Sequence, residues 1–256
     1  AQVIPCVRLA EIFRQAAASK IIINAHRINQ GKMPLWEQQA QPHADFFVIQ
    51  ADDEQLILDK LRRVVCERIP QRFGFNPIDD VQILSPMHRG GLGVKALNVL
   101  LQKALNPDTG EYIERFGCRF QTGDKVIQLV NNYDKDVFNG DIGRIQSMDM
   151  QEKCLTVLFD ERNIEYEFNE LDELELAYAV SIHKSQGSEY PVVVLPLASQ
   201  HYTLLERNLL YTAVTRGKQL VVIICQLKAL AIAVKNVRAK WRLTHLAKRL
   251  QKMLSA

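Results

Sequence analysis

The sequence is poor in the residues that build metal cages and disulfide frameworks. Its 256 residues include five cysteines (Cys6, Cys66, Cys118, Cys154 and Cys225), and no two stand at Cys-x-x-Cys spacing. That excludes a zinc ribbon or a stapled secreted scaffold and leads us to expect a reducing, cytoplasmic setting. No apolar run approaches the roughly 18 residues of a membrane span, so no membrane partner is expected. The opening AQVIPCVRL lacks the charged start and apolar core of a signal peptide. It also lacks an initiator Met and begins directly on a strand signal, so a stretch of a longer protein is expected. A phosphate loop of the form Gly-x-x-x-x-Gly-Lys-Ser/Thr is missing: Gly31-Lys32 is followed by Met33 and lacks the earlier glycine. No Asp-Glu magnesium motif follows a buried strand in the first half, and repeats and low-complexity linkers are absent.

One-sided charge is also scarce. Lys and Arg number 32 against 29 Asp and Glu, a net charge of +3, too mild to identify a nucleic-acid partner. The distribution is uneven: residues 235–256 hold seven Lys or Arg and no acid, while 160–175 hold eight acids and one Arg. A basic end attracts phosphate, but it reads equally well as a solvated helix face.

What is present is an alternation of strand and helix signals. Val3 to Arg8 reads as a strand, Ala10 to Ala18 as a helix, and Ser19 as the cap of a second helix with Ile21, Ile22, Ala25 and Ile28 on its apolar face. Phe46 to Ile49 and Val81 to Leu84 read as strands. Helices are expected from Asp52-Asp53 through Ile69 and from Leu92 to Leu105. From 119 to 175 the texture changes to short strands, with an Asn139-Gly140 turn and no convincing helix, which predicts a β insertion. Alternation then resumes: strands at Ala177–Ile182 and Val192–Pro196, a helix at Leu204–Arg216, a strand at Leu220–Cys225, and helices at about 226–235 and 239–254. The runs VVVLP and LVVIIC suit strands buried on both faces, so the core is read as α/β with a parallel sheet covered by helices.

Four segments carry candidate chemistry. His183-Lys184-Ser185-Gln186-Gly187-Ser188-Glu189 lies between two buried strands, at the carboxyl end of the first, where open α/β sheets bind ligands. It offers a cation, a glycine for close approach and a carboxylate, though a polar connecting loop has the same composition. Arg216 ends the helix that carries Asn208-Leu209-Leu210-Tyr211-Thr212, where it could instead complement the helix dipole. Arg14 sits early in a helix, where the dipole disfavours a cation, hinting at an anion nearby. Ser85-Pro86-Met87-His88-Arg89-Gly90-Gly91-Leu92-Gly93 pairs glycines with basic residues after a strand, as a backbone-phosphate contact or a strand-to-helix turn would.

Together these segments resemble the carboxyl-terminal half of RecD-like superfamily 1 DNA helicases, a family related to the exodeoxyribonuclease V alpha subunit. HKSQGSEYP resembles helicase motif V, LLYTAVTRGK motif VI and LAEIFRQ motif IV. FQTGDKVIQLVNNYDKDVFNGDIG is similar to the small Src-homology-type barrel that this family inserts in its second motor domain. The resemblance implies a RecA-like second motor domain from 1–118 and 176–256, with an inserted small antiparallel β-barrel at 119–175. It implies ATP and Mg2+ as cofactors of the full-length protein, held largely by an amino-terminal RecA-like domain outside this chain. Arg14 and Arg216 are then the arginines that reach the γ-phosphate, with Gly187 and Glu189 at the nucleotide's sugar. His88, Arg89, His183 and Lys184, with Asn132 and Tyr133 of the insertion, are expected on single-stranded DNA, travelled 5′→3′. Asn131 and Phe138 lie beside them, and Phe138 is expected in the barrel core. Partner subunits of an exonuclease complex are also implied. The chain alone is not expected to hydrolyse ATP. Two rival readings stay open: a stand-alone single-stranded DNA-binding module, and a docking module of a nuclease complex.

Overall fold

The computed structural model describes residues 19–36, 44–107, 110–237 and 245–254. The strand expected at Val3–Arg8, the helix expected at Ala10–Ala18, and Arg14 itself lie outside the described residues. A five-stranded parallel sheet runs in the order β1 (Phe46–Gln50), β12 (Gly217–Cys225), β11 (Tyr190–Leu197), β2 (Val81–Ser85) and β10 (Ala179–Ser181). Side chains alternate through it as a strand demands. Val192 and Val194 enter one apolar core with Ile57 and Leu61 of α2 (Glu54–Arg63) and Leu97 and Leu101 of α4 (Val94–Leu105). Val193 and Leu195 enter the other, with Ile21, Ala25 and Ile28 of α1 (Lys20–Asn29), Leu210 of α5 (Arg207–Val214) and Leu230 of α6 (Leu227–Lys235). Burial on both faces is why these strands read as unbroken apolar runs.

Helix starts differ in how local they are. Asp53 caps α2 from the adjacent position, accepting from the Leu56 N–H at 2.7 Å. Ser19 stands at the N-cap of α1 but makes no side-chain cap bond. Its hydroxyl donates to Asp45 Oδ2 at 2.5 Å, and Asp45 Oδ1 takes the Lys20 N–H at 3.1 Å. A carboxylate distant in sequence therefore does the capping. After α2 the helix widens into a π turn at Val64–Arg68 before α3 (Ile69–Phe73). Pro70 supplies the reason: it has no N–H for a helical bond, and its ring crowds the carbonyl four residues back.

The insertion forms a five-stranded antiparallel sheet in the order β8 (Arg162–Glu167), β7 (Cys154–Phe159), β6 (Ile142–Asp149), β5 (Lys125–Gln128) and β9 (Leu174–Leu176). Leu155, Val157 and Phe159 of β7 face inward and join the same core as α2 and α4. A short hairpin, β3 (Ile113–Arg115) and β4 (Cys118–Phe120), precedes it, and sequence reading did not foresee it. Lastly, α7 (Leu246–Leu254) carries part of the basic terminal stretch. No helix among the described residues is long and apolar enough to cross a membrane.

The two sheets meet through buried polar side chains. Asp124 accepts from the Gln121 N–H (2.9 Å), Gln102 Nε2 (2.6 Å), Asn106 Nδ2 (2.8 Å) and the Tyr178 hydroxyl (2.8 Å). Burial raises its pKa, and these four bonds oppose the rise. Lys125 is buried next to it and donates to the carbonyls of Ile78 (2.8 Å) and Val81 (3.2 Å). Asn98 of α4 spans Leu176 and Ala179, donating to both carbonyls and accepting the Ala179 N–H at 2.7 Å.

Candidate functional site

Parallel strands fix where the candidate residues go. Ser181, the last residue of β10, pairs in register with Ser85, the last of β2, and the Ile182 N–H bonds to the Ser85 carbonyl at 3.1 Å. The loops carrying His88-Arg89 and His183-Lys184 therefore leave adjoining strands at the same, carboxyl edge. His88, Arg89 and His183 are exposed there. The Ser85 hydroxyl holds the first loop closed, donating to the Leu92 carbonyl at 2.7 Å. Gly93 permits the fold, because a Cβ there would lie 2.8 Å from the Arg89 backbone nitrogen.

The second loop does not stay at that edge. β11 runs parallel to β2, with Val192 beside Val81, so Tyr190 lies at the amino end of the sheet, beyond the first residue of β2. Residues 182–189 thus cross from one edge to the other. They do so through successive turns, with N–H bonds from Ser185 to Ser181, Gln186 to His183 and Ser188 to Ser185. Gly187 takes a φ of +92°, a conformation that disfavours side chains, and a Cβ there would meet nothing within 4 Å. The loop thus leaves the carboxyl end of β10, where the sequence placed it, and its second half reaches the amino edge. A connection between parallel strands must return to the starting edge, and here a loop makes the return.

At the amino edge the loop meets the end of α5. Tyr190 pairs with Gly217, and its N–H bonds to the Arg216 carbonyl at 2.9 Å, which sets Glu189 beside Arg216. The half-buried Arg216 guanidinium donates from Nη1 to the Ser188 carbonyl (2.9 Å), from Nε to the Thr212 carbonyl (3.2 Å) and from Nη2 to Thr215 Oγ1 (3.4 Å). Thr215 is itself anchored to the Tyr211 and Thr212 carbonyls at 2.9 and 3.0 Å. Glu189 is 14% exposed and pairs with Lys218 Nζ at 3.2 Å. Burial raises the Tyr190 phenol pKa, while a bond with Ser188 and the charge of Arg216 oppose the rise. Gly217 is fixed by packing, since a Cβ there would sit 3.2 Å from the Leu220 carbonyl oxygen. Ser188, Thr212, Thr215 and Lys218 were not singled out from the sequence. Only their place within the two motif-like segments marked them.

Lys184 and Asn132 are brought together through the insertion. Lys184 Nζ pairs with Glu175 at 3.4 Å, and Asn132 Nδ2 donates to Glu173 at 3.1 Å. Glu173 ends the 3-10 turn that leads into β9, and Glu175 is the middle residue of β9, so the two carboxylates are two positions apart in the chain. Asn132 also closes its own turn, bridging to Val137 and accepting the Lys135 N–H at 3.1 Å. That turn projects Tyr133, 76% exposed, and Phe138, 40% exposed, with ring centroids 6.0 Å apart and edge to face. Phe138 was expected in the core. Its neighbour Val137 takes the inward place instead, because successive side chains alternate at the bridge. Asn131 braces the pair, contacting the Tyr133 hydroxyl at 3.4 Å and the Asn139 N–H at 2.9 Å.

Two family models match. The SH3 domain of ATP-dependent RecD-like DNA helicases matches residues 97–159, and the UvrD-like helicase C-terminal domain matches residues 176–224. Among curated proteins, the ATP-dependent RecD2 DNA helicase of Deinococcus radiodurans is 34% identical over 223 residues, 85% of this chain and 28% of that protein. The RecBCD enzyme subunit RecD of Mycolicibacterium smegmatis is 32% identical over 148 residues, 58% of this chain and 26% of that protein. The chain thus spans little more than a quarter of these relatives. Among solved structures, Pif1 helicase from Bacteroides in complex with ADP-AlF3 and ssDNA aligns with a TM-score of 0.54 at 16% identity, over 97% of this chain and 56% of that one. At such identity the likeness is one of fold.

Proposed function

This chain is related to the RecD-like superfamily 1 DNA helicases, and on that footing we propose that it forms the carboxyl-terminal half of an ATP-dependent 5′→3′ DNA helicase. In this reading it supplies γ-phosphate-contacting arginines and part of the single-stranded DNA track. The single observation that carries the proposal is the Arg216 guanidinium bonded to Ser188, which joins the segments resembling motifs V and VI into one site with Gly187 and Glu189.

The residues present fit a nucleotide in kind. Gly187 leaves open space for close backbone approach, and Glu189 offers a carboxylate suited to a sugar hydroxyl. Arg216 offers a planar guanidinium oriented by three bonds. ATP supplies the phosphoryl group whose transfer drives translocation. The part of Arg216 is to stabilise charge that develops on phosphoryl oxygens, and its fixed orientation lowers the cost of doing so. Among the described residues no cluster of three or more His, Cys, Asp or Glu could hold a metal ion. By the resemblance alone, Mg2+ is assigned to the amino-terminal motor domain, and Arg14 keeps its proposed role beside Arg216. For the isolated chain we expect no ATP hydrolysis.

On the opposite edge, His88, Arg89, His183 and Lys184 face the proposed DNA strand, with Tyr133 and Phe138 as stacking platforms and Asn132 as their support. The deciding experiment is Arg216→Ala in the full-length protein, with steady-state ATPase measured beside nucleotide titration. Turnover is expected to fall by about 10³–10⁵ while nucleotide affinity stays near that of the parent. Unchanged turnover would remove Arg216 from the mechanism.

A further inference from the structure

At the edge of the parallel sheet farthest from β10, a cavity of about 280 Å³ opens between β1 and the helix that runs through α2, the π turn and α3. Its floor is Phe47 and Ile49, and its wall is Ile69 and Phe73. Three arginines of the helix, Arg63, Arg68 and Arg72, stand around its mouth, all exposed. An apolar floor inside a ring of cations is a patterned surface, unlike the mixed charge of an ordinary solvated helix.

The π turn creates that ring. The Ile69 N–H bonds to the Val64 carbonyl, five residues back. On an unbroken α-helix, Arg63 and Arg68 would stand about 140° apart, because five residues at about 100° each overshoot one turn. The wider turn closes most of that gap, and Arg72, four residues on, follows on the same face. Arg72 lies 5.5 Å from the Phe47 ring centroid and 5.2 Å from that of Phe73, so one charge is held directly over the apolar mouth. Arg63 pairs with Glu67 at 3.7 Å, an exposed contact of the kind worth about 0–1 kcal/mol and readily exchanged. Single π turns occur often at functional sites.

We infer that this pocket docks an acidic segment of a partner protein, which inserts a bulky apolar side chain against Phe47 and Ile49 while its carboxylates pair with Arg63, Arg68 and Arg72. Charge complementarity selects the acids, since guanidinium forks bind carboxylates in pairs of parallel bonds. The floor argues against a nucleic-acid strand. Phosphates would satisfy the arginines, but the Phe47 ring is already covered by the Arg72 guanidinium, and Ile49 offers no ring on which a base can stack. The Phe47 and Phe73 rings are packed edge to face at 5.9 Å, which leaves the apolar floor preformed. Because β1 and β10 are opposite edges of the sheet, the partner can sit here while the loops after β2 and β10 are occupied.

The test is fluorescence anisotropy on the full chain with a fluorescein-labelled octapeptide in which two phenylalanines are flanked by aspartates. Saturable binding is expected, weakened at least about tenfold by Arg68→Glu and by replacing the aspartates with asparagines, as loss of paired charges predicts. Ile49→Ser, read beside a thermal melt to confirm folding, should weaken it without altering its salt dependence. The inference fails if the peptide does not bind, if Arg68→Glu leaves its affinity unchanged, or if a short oligothymidylate displaces it, which would make the pocket a nucleic-acid contact.

Discussion

At the amino edge of the parallel sheet Arg216 is half-buried and donates to two backbone carbonyls and one hydroxyl, whereas between the two sheets Asp124 is fully buried and gathers three side chains and an N–H. The first arrangement leaves the partners of the charged group near solvent, where water or an incoming anion can replace them. The second leaves no such substitute, so any loss strands several buried groups at once. The comparison teaches that a charged residue in a polar network serves exchange in one place and fixity in the other, and that burial decides which.

The difference can be broken by mutation. The largest effect is expected for Arg216→Ala, which should remove turnover by the factor given above yet lower stability by no more than about 1–2 kcal/mol, since water can take the place of the guanidinium at the half-exposed partners it leaves. A large drop in stability would mean that Arg216 is structural. Next comes Asp124→Leu. It leaves Gln102, Asn106, Tyr178 and the Gln121 N–H without their acceptor, at about 1–3 kcal/mol each. Urea denaturation should show a loss of at least about 3 kcal/mol, and a loss below about 1 kcal/mol would refute the hub role.

Smaller effects sharpen the contrast. Tyr133→Ala should weaken binding of oligothymidylate by about 1–3 kcal/mol with an unchanged melting temperature. Equal affinity would assign the Tyr133–Phe138 pair no part in the DNA track. The last effect is a pH dependence. Burial lowers the Lys125 pKa to about 8 from 10.5, with Asp79 and Asp80 opposing the fall. Between those values the unfolded chain holds the proton and the folded one does not, so this group adds stability as pH rises from 8 toward 10.5. Melting curves across that window should rise more steeply for the parent than for Lys125→Met. Parallel curves would show that Lys125 stays charged in its pocket.

Much of the fold was legible where one residue's neighbours in sequence decide its fate. β11 and β12 read as buried strands because both faces are covered, and Asp53 read as a cap because its donor lies three positions on. What depended on distant contacts was not legible. Asp45 caps a helix whose first turn stands 25 positions earlier. The π turn follows from Pro70 but needed geometry to show which arginines it aligns. Of the candidate site, the segments were singled out through family resemblance, while their division between two edges of the sheet was not legible. That division follows from strand order, which places β2 between β10 and β11. Phe138 was misread because an aromatic ring in a β segment is usually core, and only the bridge at Asn132–Val137 shows which neighbour turns inward.

Residues 182–189 alone connect β10 to β11 across the length of the sheet. A chain extends at most about 3.3–3.6 Å per residue, and this segment spends much of its length on turns while bridging the sheet from end to end. It is a folded strap, tied to the insertion by an ion pair at Lys184 and to the end of α5 through the Ser188 carbonyl. Eight residues therefore join the surroundings of Glu175 to those of Arg216.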